Sequence, residues 1–256
     1  MTIDLIGSLA EIWLAVPSPD GRRILTSPME SGTCLYTADT LEEVSELDIH
    51  GRRICFSPDS EKFAFSYQNS IYVYDMLLDD ITTVIRTHKY DHGGQAMCFS
   101  GDSGKLIKLQ YTHKSVSYIS VYNVETGVEE NRFFENERCV FNEIWYSRSE
   151  NRYLIDGFRR LNFSGHNEYL RFWFDLDGKF DIIFRSEKRT PFVNVEGCFV
   201  QNDSDTKQPS IAEMEELRSE LIGLLPSKKI TSFYVFANLS KLLVVAEGKL
   251  SIYAIT

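Results

Sequence analysis

Residues 54–76 read ICFSPDSEKFAFSYQNSIYVYDM, and the reading of this stretch decides the fold. The run Cys55-Phe56 ends at a turn, Ser57-Pro58-Asp59-Ser60. A second run spans Lys62 to Ser66, Gln68-Asn69 breaks it, and a third ends at Tyr72-Val73-Tyr74-Asp75. Pro favours a turn by fixing φ, while Ser and Asp favour it because their side-chain oxygens bond the nearby backbone. Three short apolar runs separated by such turns predict an antiparallel meander of strands.

The unit recurs. Further turns stand at Ser18-Pro19-Asp20-Gly21, Ser100-Gly101-Asp102-Ser103, Ser147-Arg148-Ser149-Glu150 and Asn238-Leu239-Ser240-Lys241. Each lies between two apolar runs: Ile12 to Val16 and Arg23 to Thr26, Met97 to Phe99 and Leu106 to Leu109, Ile144 to Tyr146 and Tyr153 to Ile155, Phe233 to Phe236 and Leu242 to Val245. Third strands are predicted at Thr33 to Tyr36, Ile71 to Tyr74, Tyr118 to Tyr122, Tyr169 to Phe174 and Leu250 to Ile255. Fourth strands follow at Val44 to Leu47, Thr82 to Ile85, Glu129 to Phe133 and Phe180 to Phe184. A period of roughly 40–50 residues is that of a propeller blade.

The fold class predicted is therefore all-β: one β-propeller domain over 1–256, with five four-stranded blades, or six if Val195 to Val200 marks a decayed blade. The last copy lacks a fourth strand, and Ile3-Asp4-Leu5-Ile6 precedes the first copy as a spare one. The N-terminal strand is expected to complete the final sheet and close the ring, which removes an open edge and makes the chain a whole propeller. An insertion is predicted over 188–229, holding a helix at 210–225. Ser210 serves as N-cap with Glu213 three residues on, Pro226 as a stop, and Ile211, Met214, Leu217, Leu221 and Leu225 form one apolar face.

Composition fits such a domain. A 256-residue chain buries roughly three quarters of its unfolded surface, enough for a core without staples. No run is long enough for a membrane helix, and Met1 to Val16 lacks a basic start and carries Asp4 and Glu11, which argues against a signal peptide. The cysteines, Cys34, Cys55, Cys98, Cys139 and Cys198, are odd in number and contain no CxxC pair, so free thiols in a reducing, cytoplasmic compartment are expected. The formal charge of −10 favours basic partners and repels bare nucleic acid.

The repeats resemble the WD40 family of β-propellers. The resemblance rests on CFSPDS (Cys55 to Ser60), CFSGDS (Cys98 to Ser103), PSPDG (Pro17 to Gly21), IYVYD (Ile71 to Asp75), and ISVYN followed by ETG (Ile119 to Gly127). It covers most of the chain, closely to about Phe133 and loosely beyond. Tyr74 and Tyr122 stand where the family carries Trp. The resemblance implies an assembly role, that of a scaffold or adaptor, and it is specific for architecture rather than activity.

In a propeller, the connections between second and third strands leave the same face as those between blades. The histidines fall there: His50, His88, His92, His113 and His166, with Arg52, Arg53, Lys89, Lys114, Arg159, Arg160, Lys188 and Arg189. The opposite face collects Asp20, Asp39, Asp59, Asp79, Asp80, Asp102, Glu125 and Asp177. A His-rich basic face and an acidic face are thus expected, beside the plainer reading that turns want Asp and loops tolerate His and Lys. The expected partner-binding residues are His92, His113, Lys114, Arg159, Arg160 and His166 on one face and Asp79 and Asp80 on the other, with Met214, Glu215, Glu216 and Leu217 of the helix. The apolar stripe of that helix either packs on the propeller or offers a partner a ridge.

No catalytic signature is present: no GxSxG, no P-loop, no HExxH, no glycine-rich dinucleotide turn. His88 and His92, four apart, would align as ligands on a helix but not in an extended loop, so no metal is expected, and no cofactor. The expected function is a non-enzymatic propeller that binds another protein with a basic surface. A narrower version is an acidic inhibitor, such as an immunity protein that neutralises a toxin. The alternative is a propeller enzyme, a hydrolase or lyase, with a His-rich site at its central channel.

Overall fold

Each apolar run bounded by a Ser-Asp turn forms a strand. In a computed structural model of the chain, residues 3–28, 32–87, 96–111, 117–134, 139–147, 150–160, 167–186, 199–200, 230–236 and 241–255 are described. Every regular element among them is a strand. They divide into two units, Met1–His50 with Val193–Thr256, and Gly51–Phe192.

The first unit begins with β1 (Ile3–Leu9) and a meander of β2 (Ile12–Pro17), β3 (Arg23–Pro28), β4 (Thr33–Thr37) and β5 (Glu43–Leu47). The second unit holds three meanders. They are β6 (Arg53–Phe56), β7 (Lys62–Tyr67), β8 (Ser70–Asp75) and β9 (Asp80–Arg86); β10 (Met97–Phe99), β11 (Lys105–Tyr111), β12 (Ser117–Asn123) and β13 (Glu129–Phe133); and β14 (Cys139–Ser147), β15 (Arg152–Arg160), β16 (Asn167–Phe174) and β17 (Phe180–Ser186). The chain returns to the first unit with β18 (Phe199–Val200), β19 (Ile230–Phe236), β20 (Lys241–Ala246) and β21 (Lys249–Ile255). That fifth sheet has the order β1-β21-β20-β19-β18.

The fifth sheet bears on two expectations made from the sequence. β1 pairs antiparallel with β21, from Ile3 opposite Ile255 to Leu9 opposite Leu250, with a bulge between Leu5 and Gly7. What the structure carries of the expected ring closure is this strand addition, within one unit. Phe199–Val200 does not start a sheet of its own. It lies parallel along the edge of β19, so the described residues make five sheets and not six. The helix expected over 210–225, with Met214, Glu215, Glu216 and Leu217, lies outside the described residues, as does most of the insertion over 188–229. No described residue is helical.

Burial follows strand position. The central residues of β7 and β11 are buried, Phe63, Ala64 and Phe65 completely, and β11 is covered on both faces, with Leu106 in one core cluster and Ile107 and Leu109 in the next. The outermost β9 instead alternates, with Thr83 and Ile85 buried and Val84 half exposed. In the second unit one interface packs Cys55, Ala64, Ile71, Val73 and Ile85 against Met97, Phe99, Leu106, Tyr122 and Val124. The next packs Ile107, Leu109, Ile119 and Val121 against Phe141, Ile144, Ile155, Phe172 and Phe174. In the first unit, Ile12, Ala15 and Ile24 meet Leu243, Val245, Leu250 and Ile252. Cys34, Cys55, Cys98 and Cys139 form no disulfide. Burial pushes the Cys55 thiol up to about 12, so it is an inert packing group.

Candidate interaction surface

The turn motif read from the sequence is a small hydrogen-bonded device. In three copies the serine hydroxyl lies 2.5 Å from the aspartate carboxylate two residues on: Ser18 on Asp20, Ser57 on Asp59, Ser100 on Asp102. The same oxygen accepts the N–H of Arg23, Lys62 or Lys105, at 2.9, 2.9 and 2.8 Å. The aspartate accepts the N–H of Arg22, Glu61 or Gly104. The serines are buried and the aspartates exposed, so each turn seals the end of a hairpin and leaves a fixed carboxylate in water. At the fourth such turn, Glu150 N–H reaches Ser147 Oγ at 3.3 Å.

The turns between third and fourth strands use a second device. Their first residue caps the N–H groups that follow: Thr37 takes Glu42, Asp75 takes Leu77 and Leu78, Asn123 takes Glu125 and Thr126, and Asp175 takes Lys179. In a four-stranded meander both kinds of turn leave the same end of the sheet. In the Gly51–Phe192 unit that end carries the exposed Asp59, Asp79, Asp80, Asp102, Glu125 and Asp177. Its neighbouring sheets touch there: Thr83 Oγ1 of β9 donates to the Glu125 carbonyl at 3.4 Å, and the Ser103 hydroxyl bonds the Asp59 carboxylate. In the other unit Asp39 pairs with Lys241.

These bonds hold carboxylates in the charged form. The Ser100 hydroxyl and the Gly104 N–H place Asp102 below the usual carboxylate range. Partial burial works against the charge of Asp75, but the Leu78 and Leu77 N–H groups and the Lys62 ammonium outweigh it, and this carboxyl too is lowered. A carboxyl lowered by folding stabilises the protein above its unfolded pKa of about 3.9, and that stabilisation is lost as pH falls through the folded value. Asp102→Asn is therefore expected to lower the melting midpoint at neutral pH, with the gap to wild type closing below about pH 4. A gap of constant size from pH 7 to pH 2.5 would show that the turn bonds do not bias the ionisation.

At the positions that resemble tryptophan, both tyrosines are satisfied inside their own sheets. Tyr74 stacks on Phe63, ring centroids 4.7 Å apart, and its hydroxyl donates to Asp79. Burial and that carboxylate push the Tyr74 phenol up to about 12, so it stays a donor. The Tyr122 hydroxyl accepts from Gln110 Nε2, whose Oε1 accepts from Tyr118 at 2.9 Å.

The expected basic side falls mostly on positions without a description: His92, His113, Lys114 and His166 lie outside the described residues. Arg160 ends β15 opposite Asn167. Arg159 pairs with Glu168 directly across β16, at 2.7 Å, and Arg53 meets Glu143 at 3.5 Å. Asp79 and Asp80 stand where expected, at the β8 to β9 turn. Asp79 takes φ 54° and holds the Tyr74 hydroxyl, while Asp80 accepts the Ile81 N–H at 2.7 Å. Sequence reasoning passed over the two residues before them. Leu77 and Leu78 are 80 % and 69 % exposed, and the signal was the repeat itself, since matching turns carry Asp39-Thr40 and Glu125-Thr126. Among the described residues no group of three or more His, Cys, Asp or Glu side chains is placed to hold a metal ion.

Repeated four-stranded meanders with capped turns and exposed carboxylates at one end define the class: a WD40-like β-propeller fold. Among solved structures, the chain is similar to the hydrazine synthase of Kuenenia stuttgartiensis, with TM-score 0.53 and 10 % identity over 93 % of this chain and 56 % of that one. It is also similar to U3-55K and to the WD40 repeats of RRP9, each with TM-score 0.51 and 13 % identity over 71 % of this chain and 54 % of the other. The chain thus spans little more than half the length of these structures. At such identities the likeness is one of fold alone. No protein-family model matches the chain, and no curated protein matches it by sequence.

Proposed function

We propose that the protein binds another protein and catalyses no reaction, with the acidic end of the Gly51–Phe192 unit as its contact surface. The observation that carries this reading is the set of exposed carboxylates, Asp59, Asp79, Asp80, Asp102, Glu125 and Asp177, held at the turns on one end of three packed sheets. Preset carboxylates lose little entropy on binding, and together with the net charge of −10 they draw in a basic surface. Cysteines outside any disulfide suit a reducing compartment, such as the cytoplasm. The fold likeness to WD40 proteins supports a role in assembly. A narrower version, an inhibitor that neutralises a basic toxic enzyme, draws on the same charge. It requires that the captured partner be an enzyme whose activity falls on binding.

Charge reversal tests the reading. Asp79→Lys with Asp80→Lys is expected to weaken the bound partner by about tenfold or more, with an effect that shrinks at high salt. The control pair, Arg159→Glu with Arg160→Glu, probes the other end. Retention of every partner by both variants would end the proposal. One observation favours an enzyme instead, the fold likeness to a protein named as a hydrazine synthase. A turnover activity abolished by His113→Ala or His166→Ala would establish that second reading.

A further inference from the structure

Resting on the reading of the acidic end as a protein-binding surface, we propose that Leu77-Leu78 is an apolar docking knob. It inserts into an apolar pocket of a partner protein rimmed by lysine or arginine. Leu77 and Leu78 are the two most exposed large apolar side chains among the described residues. The repeats make this an anomaly. In turns of the same kind the second residue is apolar and buried, as at Ala38 and Val124, and the next two are polar and solvated, Asp39-Thr40 and Glu125-Thr126. The turn after β8 keeps the apolar second residue, Met76, and then adds two leucines in water.

The knob is rigid. Asp75 Oδ1 accepts both leucine N–H groups, at 2.9 and 3.1 Å, the Met76 N–H bonds the Glu61 carbonyl at 2.9 Å, and the Tyr74 hydroxyl holds Asp79. A turn tied this way presents its leucines from a fixed backbone, so that only their side chains are left to order on binding. Its surroundings choose the occupant. Asp79 and Asp80 follow directly and are exposed, and Glu61 stands on the turn bonded to Met76, whereas Asp75 is already paired with Lys62 at 3.4 Å. Apolar contact at the tip and carboxylates at its base match a pocket that is greasy inside and cationic at its rim. A second copy of this chain would bring like charges together, and anionic lipid or nucleic acid would be repelled for the same reason.

The test uses the full chain and a fluorescent synthetic peptide, an amphipathic helix of leucine with lysine along both edges of its apolar face. Leu77→Asp with Leu78→Thr installs the residues of the turn after β4. A thermal melt is expected to match wild type, because those residues already serve in a turn of the same kind. Wild type is expected to bind the peptide, and the double variant about tenfold or more weakly. The sign is diagnostic: the added aspartate increases electrostatic attraction, so a loss comes from the apolar contact. Equal binding by both proteins, or no binding by wild type, overturns the proposal. So does a wild-type dimer in sedimentation that the double variant dissolves. Partner loss in Asp79→Lys with Asp80→Lys, combined with unchanged peptide binding by the leucine variant, would leave the acidic surface standing and remove only the knob.

Discussion

Replacing Phe141 with alanine is expected to lower the unfolding free energy by about 3–5 kcal/mol, and the melting midpoint by on the order of 10 °C. Phe141 is 1 % exposed and sits in the interface between the β10–β13 and β14–β17 sheets. Its ring meets Phe134 at 5.5 Å and Phe172 at 5.7 Å, both edge to face. Such pairs add about 0.5–1.5 kcal/mol each beyond burial, and the cavity left by truncation cannot close. The backbone around it is pinned, since Phe141 N–H donates to Ser117 Oγ at 2.9 Å. Phe141→Leu should recover more than half of the loss. A midpoint for Phe141→Ala within about 2 °C of wild type would mean that the two sheets do not pack through this ring.

Gly157→Ala is the second large effect, expected to cost about 3 kcal/mol by overpacking. A Cβ at Gly157 would stand 2.4 Å from the Val140 carbonyl oxygen and 3.0 Å from Phe141 Cα. Both are backbone atoms of the partner strand, held in register by Val140 opposite Phe158 and Phe141 opposite Gly157. Neither can retreat without opening the β14–β15 ladder. Gly101→Ala supplies the contrast. There the new Cβ would meet the Tyr146 hydroxyl and Cζ, side-chain atoms that can move if the bond to Asn151 Oδ1 is given up, so a smaller loss of about 1 kcal/mol is expected. Equal melting curves for Gly157→Ala and wild type would show that the strands are spaced more widely than their pairing requires.

The same corner of the molecule explains what a linear reading of the chain could reach. Ile144 to Tyr146 was predicted as a strand, yet β14 runs from Cys139 to Ser147. A bulge between Phe141 and Glu143 inserts Asn142 and shifts the alternation by one, so Phe141 shares a core cluster with Ile144 across an odd spacing and no single period covers the strand. The short β10, Met97–Phe99, and β13, Glu129–Phe133, were legible to the residue, the second even though a bulge sets Glu130 out of register with Val121 and Tyr122. Of the candidate site, Asp79 and Asp80 were legible as a turn, but the leucines beside them were not. In a list of residues, Leu77-Leu78 looks like the edge of a buried run, and only the capped turn puts it in water.

The order of the strands and the chemistry of the turns were determined by the sequence alone. A serine hydroxyl, an aspartate two residues on and an N–H five residues on close their bonds within one tight loop, so their meaning survives without the rest of the chain. Tertiary structure alone decided the rest. It set Arg53 on Glu143, 90 positions away along the chain, and spent Arg159 on Glu168. The addition of β1 to the last sheet was expected from the spare N-terminal run, but its register on β21 and the bulge between Leu5 and Gly7 were not. Charges and edges find partners by register and sheet stacking, which act through space, and local composition carries no record of that distance.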